Sequence, residues 1–251
     1  MLTRPNRWYL KYAHIIAYNI IFWYCSVMTN FDPTNPIFVS THLDDVVLSC
    51  AYYVGEHPGT QVATVMAGAP DIELDDWSAR TTGHLRAQDA LRVRTAEDNA
   101  AMEALGAVPT RLDLWDLPYL NGQPRDPDTV YRALATSLPS EVESIVGPLG
   151  LTHPDHRVVS DACIRLARDL GLALYLYADL PYGHTYPRNI TDRLAELAVR
   201  GLRLTQLDPV KSAVDKPAVC DLYATQMDEL RGSFKTFDAS LSAPEQYWRV
   251  Q

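Results

Sequence analysis

The chain of 251 residues is short of several things at once. It has four cysteines (Cys25, Cys50, Cys163 and Cys220), scattered and without a Cys-x-x-Cys pair. That fits buried thiols in a reducing compartment better than a disulfide framework. It lacks an excess of basic charge: 22 Lys and Arg against 31 Asp and Glu give a net charge of -9. Such a balance disfavours non-specific binding to nucleic acid and to anionic membrane surfaces. No Gly-x-Ser-x-Gly elbow occurs, which argues against a serine hydrolase. No phosphate-cradling loop occurs either, since Gly147-Pro148-Leu149-Gly150 has neither the lysine nor the spacing. Repeats, low-complexity stretches and an interdomain linker are also missing.

Long apolar runs are scarce outside the first 30 residues. There Arg4, Arg7 and Lys11 precede Tyr12 to Val27, interrupted by His14, Asn19 and Ser26. The run is short for a membrane span, and no small-x-small cleavage site follows it. Residues 1–30 are therefore read as an apolar extension, with Met28 as a start for the folded protein, a signal or a membrane anchor being the other readings. Residues 31–251 are expected to form a single domain, long enough for one substantial core. A cytoplasmic location is the expectation for it. The sequence does not fix an oligomeric state.

What is present begins at Ile37-Phe38-Val39-Ser40-Thr41-His42-Leu43-Asp44-Asp45. A β-branched and aromatic run of this kind reads as a buried parallel strand, and Val46 to Val54 reads as an apolar helix after it. The polar trio thus falls where a strand hands over to a helix, the place where ligands bind in open α/β sheets. His42 and Asp45 lie one helical turn apart and can converge on one point, and imidazole with carboxylate suits zinc. Taken alone, Asp44 and Asp45 are equally what a helix N-terminus favours as caps. A second junction alters the balance. Ser144-Ile145-Val146 runs into a loop that ends in His153-Pro154-Asp155-His156, and Arg157 to Leu170 reads as the following helix. Pro154 suits a first helical position, which again sets two histidines one turn apart. Two histidines and a carboxylate with an open fourth position describe a catalytic zinc site.

The rest of the chain alternates strand and helix, so a mostly parallel, Rossmann-like sheet flanked by helices is expected. Strands are predicted at Gln61–Met66, Arg111–Trp115, Leu172–Tyr177 and Leu202–Leu207. Helices are predicted at Leu85–Leu105, stopped by Gly106, and at Asp126–Leu138, Asp192–Arg200 and Ala213–Leu230, with residues 233–251 packing back on the body. Segments 68–90, 116–128 and 179–190 would wall a substrate cleft, with Arg94, Asp116 and Tyr182 as candidate substrate contacts. For Arg94 an exposed pair with Asp98 is an equal alternative.

The pairing of His42-x-Asp44-Asp45 with His153-Pro154-Asp155-His156 resembles the LmbE-like (PIG-L) family of zinc-dependent N-acetylglucosaminyl deacetylases. Arg94-x-x-Glu97-Asp98, Leu105-Gly106, Asp179-Leu180-Pro181-Tyr182, Tyr223-x-x-Gln226 and Glu245-x-Tyr247-Trp248 extend the resemblance over roughly Pro36 to Arg249. It implies one Zn2+ per chain bound by His42, Asp45 and His156, and Asp44 as the base that deprotonates a metal-bound water. It further implies that His153 steadies the oxyanion and protonates the departing amine, oriented by Asp155. Leu43 stands where the family usually has proline, and Val46 where it often has glutamate. The implied substrate is a small-molecule or glycoconjugate N-acetyl amino sugar. The alternatives are an amidase on another amino-sugar conjugate and a non-catalytic sugar-binding member; a mere binder would need neither Asp44 nor His153.

Overall fold

The computed structural model describes residues 30–73, 81–84, 86–121 and 123–251, so the expectations for the N-terminal extension fall outside the described residues. Four βα units come first. Strand β1 (Pro36–Ser40) leads to helix α1 (Asp45–Glu56), β2 (Gln61–Thr64) to α2 (Ala87–Leu105), β3 (Val108–Arg111) to α3 (Pro127–Ser137), and β4 (Ser144–Pro148) to α4 (Pro154–Leu170). Then follow β5 (Ala173–Tyr177), α5 (Tyr182–Thr185), α6 (Pro187–Val199), β6 (Leu204–Gln206), α7 (Lys216–Cys220), α8 (Ala224–Ser233), α9 (Phe237–Leu241) and β7 (Tyr247–Val250).

The strands form one seven-stranded sheet in the order β3-β2-β1-β4-β5-β7-β6. All pairings from β3 to β5 are parallel, while β7 runs antiparallel to both of its neighbours. The central strands are apolar on both faces because helices cover both. Along β1 the side chains alternate between two cores: Phe38 joins one built with α1, α2 and α7 to α9, and Ile37 and Val39 join another built with α3, α4 and α6. The chain winds outward from β1 through β2 to β3 and, in the opposite direction, from β4 to β5. The β1–β4 seam is thus the switch point of the sheet, and the loops leaving it are those that carry the two histidine clusters.

Several predicted elements differ in place or extent; the helix predicted at Asp192–Arg200, for one, begins at Pro187. The third strand lies at Val108–Arg111, directly after the left-handed Gly106 cap of α2. Leu112 to Trp115 leaves the ladder and contributes only single bridges, Asp113 to Met66 and Trp115 to Gly68. The helix predicted over 213–230 is broken into α7 and α8, because Tyr223 turns inward between them to bond the β1–α1 loop. The C-terminal segment does more than pack on the body, since Tyr247 to Val250 becomes an inner strand.

Candidate metal and active site

The loop between β1 and α1 is fixed by its own side chains. The Ser40 hydroxyl donates to the His42 carbonyl at 2.5 Å and accepts from the Val46 N–H at 3.1 Å. The His42 N–H donates to Asp45 Oδ2 at 2.7 Å. Asp44 occupies the cap position of α1, yet its side chain makes no capping bond, and it is only 6% exposed. Capping therefore does not explain this carboxylate.

At the second junction His153 is the cap of α4, its Nδ1 accepting from the Asp155 N–H at 3.3 Å, with Pro154 in the first turn. His156, in the same turn, is buried. Its Nδ1 lies 2.6 Å from Asp179 Oδ1, at the end of β5, which leaves Nε2 to face Asp45 Oδ2 at 3.2 Å. Asp179 Oδ2 meanwhile accepts from Gly150 N–H at 2.9 Å and Leu151 N–H at 3.3 Å. One carboxylate thus orients the ring and fastens the loop that delivers it, the usual role of a carboxylate behind a ligating histidine.

His42, Asp45 and His156 bring donor atoms within 4.8 Å of one another. Asp45 Oδ2 is 3.3 Å from His42 Nδ1 and 3.2 Å from His156 Nε2. Tetrahedral zinc with bonds of about 2.0–2.1 Å separates its donors by roughly 3.3 Å, the spacing at which Asp45 meets each imidazole. A second, overlapping group is His42, His153 and Asp155. His42 Nε2 also faces Asp116 Oδ1 at 3.3 Å and Asp155 Oδ2 at 3.8 Å.

The electrostatics are those of a cation site. Burial lowers the basicity of His156, but the charge of Asp45 and the bonds to Asp179 and Asp45 outweigh it and hold the imidazole up at about 9. His42 is raised in the same way, with Asp116 the largest influence opposing burial. Asp45 is held far below the usual carboxylate range: its burial is outweighed by His156 and His42. Asp44 goes the other way, pushed up to about 7 by burial and by the neighbouring charge of Asp45.

The three expected substrate contacts come together. Arg94 from α2, Asp116 and Tyr182 line one cavity of about 190 Å³ with the metal-site residues, and the Tyr182 ring lies edge-on to His156 at 5.5 Å. Asp98, the expected partner of Arg94 on an exposed face, is fully buried and held by Arg111 and Tyr223. Asp155 sits near His153, but its carboxylate accepts from Arg125 Nε at 2.8 Å and from the Leu117 N–H at 3.0 Å. Arg125 was not legible as a site residue: it lies 30 positions from Asp155, in a polar loop without periodicity. Asp179 carried a signal, a carboxylate at a strand's carboxyl end, but not the identity of its partner.

Comparison with known proteins gives the family and the fold. The sequence profile of the PIG-L family, described as GlcNAc-PI de-N-acetylase, matches residues 37–167, from β1 through both histidine clusters into α4. The chain belongs to this family. It is, accordingly, an amide-hydrolysing deacetylase. No curated protein matches it significantly. Among solved structures it is similar to the A40926 pseudoaglycone deacetylase, at 26% identity over 88% of this chain and 98% of the other, with a TM-score of 0.68. A zinc-inhibited form of a teicoplanin deacetylase shares the fold at 22% identity, 87% and 98% coverage and a TM-score of 0.69. So does the N,N'-diacetylchitobiose deacetylase of Pyrococcus horikoshii, at 15% identity, 88% and 87% coverage and a TM-score of 0.51.

Proposed function

We propose that this protein removes the N-acetyl group of an amino sugar within a small molecule or glycoconjugate, and that it does so with zinc held by His42, Asp45 and His156. The observation that carries the reading is the approach of Asp45 Oδ2 to both imidazoles at 3.3 and 3.2 Å in a buried, carboxylate-rich pocket. Zinc bound there supplies a lowered water pKa, near about 7, and polarisation of the amide carbonyl.

The chain's own groups supply the proton traffic. Asp44 adjoins the ligands without joining them, and burial beside Asp45 raises its pKa in the metal-free protein to about 7, which makes it a better proton acceptor for the attacking water than an ordinary carboxylate. His153 accepts the Asp155 N–H at Nδ1, so the proton it can give the leaving nitrogen is on Nε2. Burial lowers the His153 pKa, which makes its protonated form a stronger acid toward a poor amine leaving group. Arg94, Asp116 and Tyr182 are proposed to hold the sugar, and Tyr182, its phenol kept protonated by burial, can donate.

The test is a screen of free, lipid-linked and natural-product N-acetylglucosaminides scored by amine release, run beside metal analysis of variants. We expect near-stoichiometric zinc in the wild type, lost in His42→Ala, Asp45→Ala and His156→Ala. Asp44→Asn should keep its zinc and lose about 10² to 10⁴-fold in turnover. Unchanged zinc in all three alanine variants would sink the ligand assignment, and near wild-type turnover in Asp44→Asn would sink the base.

A further inference from the structure

Tyr223 stands out in the sequence by its spacing to Gln226, yet it touches neither the triad nor the substrate cavity. It is fully buried at the cap of α8, and its hydroxyl lies 3.0 Å from the Leu43 carbonyl oxygen and 2.8 Å from Asp98 Oδ1. Leu43 is the residue between a proposed metal ligand and the proposed base. Asp98 is fully buried too, and its other oxygen takes Arg111 Nε at 2.8 Å. A continuous polar line therefore runs from Arg111 through Asp98 and Tyr223 to the backbone of the β1–α1 loop.

Several other braces of that loop are internal to it. Ser40 holds the His42 carbonyl and the Val46 N–H, and Asp45 holds the His42 N–H. Distant groups reach it as well: the Met66 N–H donates to the Thr41 carbonyl and Asp116 faces the His42 ring, while the Tyr223 hydroxyl holds the Leu43 carbonyl from 180 positions away. Among the described residues no other group is hydrogen-bonded to the Leu43 carbonyl. Leu43 has no ring to lock its φ. No side chain among the described residues donates a hydrogen bond to the Asp44 carboxylate, so its aim follows the Leu43–Asp44 peptide, whose carbonyl oxygen is the atom facing Tyr223.

We propose that Tyr223 is a positioning residue for the general base, its hydroxyl fixing the Leu43 carbonyl and thereby the direction of the Asp44 carboxylate. This rests on Asp44 being the base. One phenolic proton faces two acceptors, and that gives the inference its discriminating test. Replacing Asp98 by asparagine breaks the ion pair with Arg111. It also places an amide that can donate to the Tyr223 oxygen, which commits the phenolic proton to Leu43. A merely structural Tyr223 would make stability and turnover fall together in both variants. A positioning Tyr223 separates them.

The experiment compares Tyr223→Phe, Asp98→Asn and Asp44→Asn as zinc-loaded full chains, with N-acetylglucosamine and its 4-nitrophenyl glycoside as probes. It follows kcat, KM, zinc content and Tm. Tyr223→Phe should keep its zinc and its KM within about twofold and lose about 10- to 100-fold in kcat, the scale of a misplaced group. Asp98→Asn should lower Tm yet hold kcat within about threefold. Should Tyr223→Phe fail to fold, 4-aminophenylalanine at position 223, with two donor protons for the two acceptors, should match or exceed the wild-type kcat. Wild-type kcat in Tyr223→Phe overturns the inference if Asp44→Asn is inactive. A kcat loss in Asp98→Asn parallel to its loss of Tm, or a tenfold loss with 4-aminophenylalanine, overturns it as well. An active Asp44→Asn overturns the base assignment instead.

Discussion

His156 is held between two carboxylates, with Asp179 on one ring nitrogen and Asp45 facing the other. In the metal-free protein its pKa of about 9 lies above the unfolded value near 6.5, the work of Asp45 and Asp179 against burial. A folded value raised this way contributes stability fully present below about pH 6.5 and lost as pH rises through about 9. Zinc must displace that proton, so its apparent affinity should climb with pH up to about 9 and then level off. Competition with a chelator over that range should show one to two protons released per zinc, the second from His42; a pH-independent affinity would contradict the protonated pair. At this scale the sequence was legible where partners were local. His42 with Asp45 and His153 with His156 each share one turn, and spacing alone exposes them. Asp179 on His156, Arg125 on Asp155 and Tyr223 on Leu43 are contacts across 23, 30 and 180 positions, which only the folded sheet brings about.

Among the elements, the β4–α4 loop carries the heaviest demand, since it delivers both His153 and His156. Gly150 stands in it at φ 85, with no room beside it: an added Cβ would meet Ser160 Cβ at 2.8 Å and the His156 carbonyl oxygen at 3.2 Å. Gly150→Ala should therefore cost about 1–3 kcal/mol of stability and weaken zinc binding, because the clash bears on the turn that holds a ligand. Calorimetry and chelator competition would check both; an unchanged Tm would mean the loop relaxes freely. Most strands and helices were legible because β-branched runs and apolar periodicity coincide with them. The third strand was misplaced because Leu112 and Leu114 alternate like a strand while packing only from a loop, whereas true β3 is a polar edge containing Pro109. The break between α7 and α8 was invisible because its cause, the inward turn of Tyr223, is tertiary.

On the scale of the whole molecule, the described body closes around its first aromatic residue. Phe31 stacks on Tyr247 at 3.8 Å between ring centroids and meets Tyr53 edge-on at 4.7 Å. A chain begun at Met28 keeps Phe31, and we expect it to fold and to retain activity; one begun at Asp32 should melt at a lower temperature, since a buried aromatic is worth about 3–5 kcal/mol. Thermal melts and amine release on the two shortened chains would check this, and an insoluble, inactive Met28 chain would assign the preceding segment to the fold. Tyr247 matters in another way. It opens β7, which lies between β5 and β6 and completes the ladder beside the strand that leads to Asp179. During synthesis β5 emerges some seventy codons before its neighbour (Tyr177 against Tyr247), and the ladder waits with an unpaired edge for that interval. Closing of the sheet beside β5 thus waits until Tyr247 to Val250 has left the ribosome. A nascent chain stalled short of that point presents a sticky open edge to chaperones, proteases and other copies of itself.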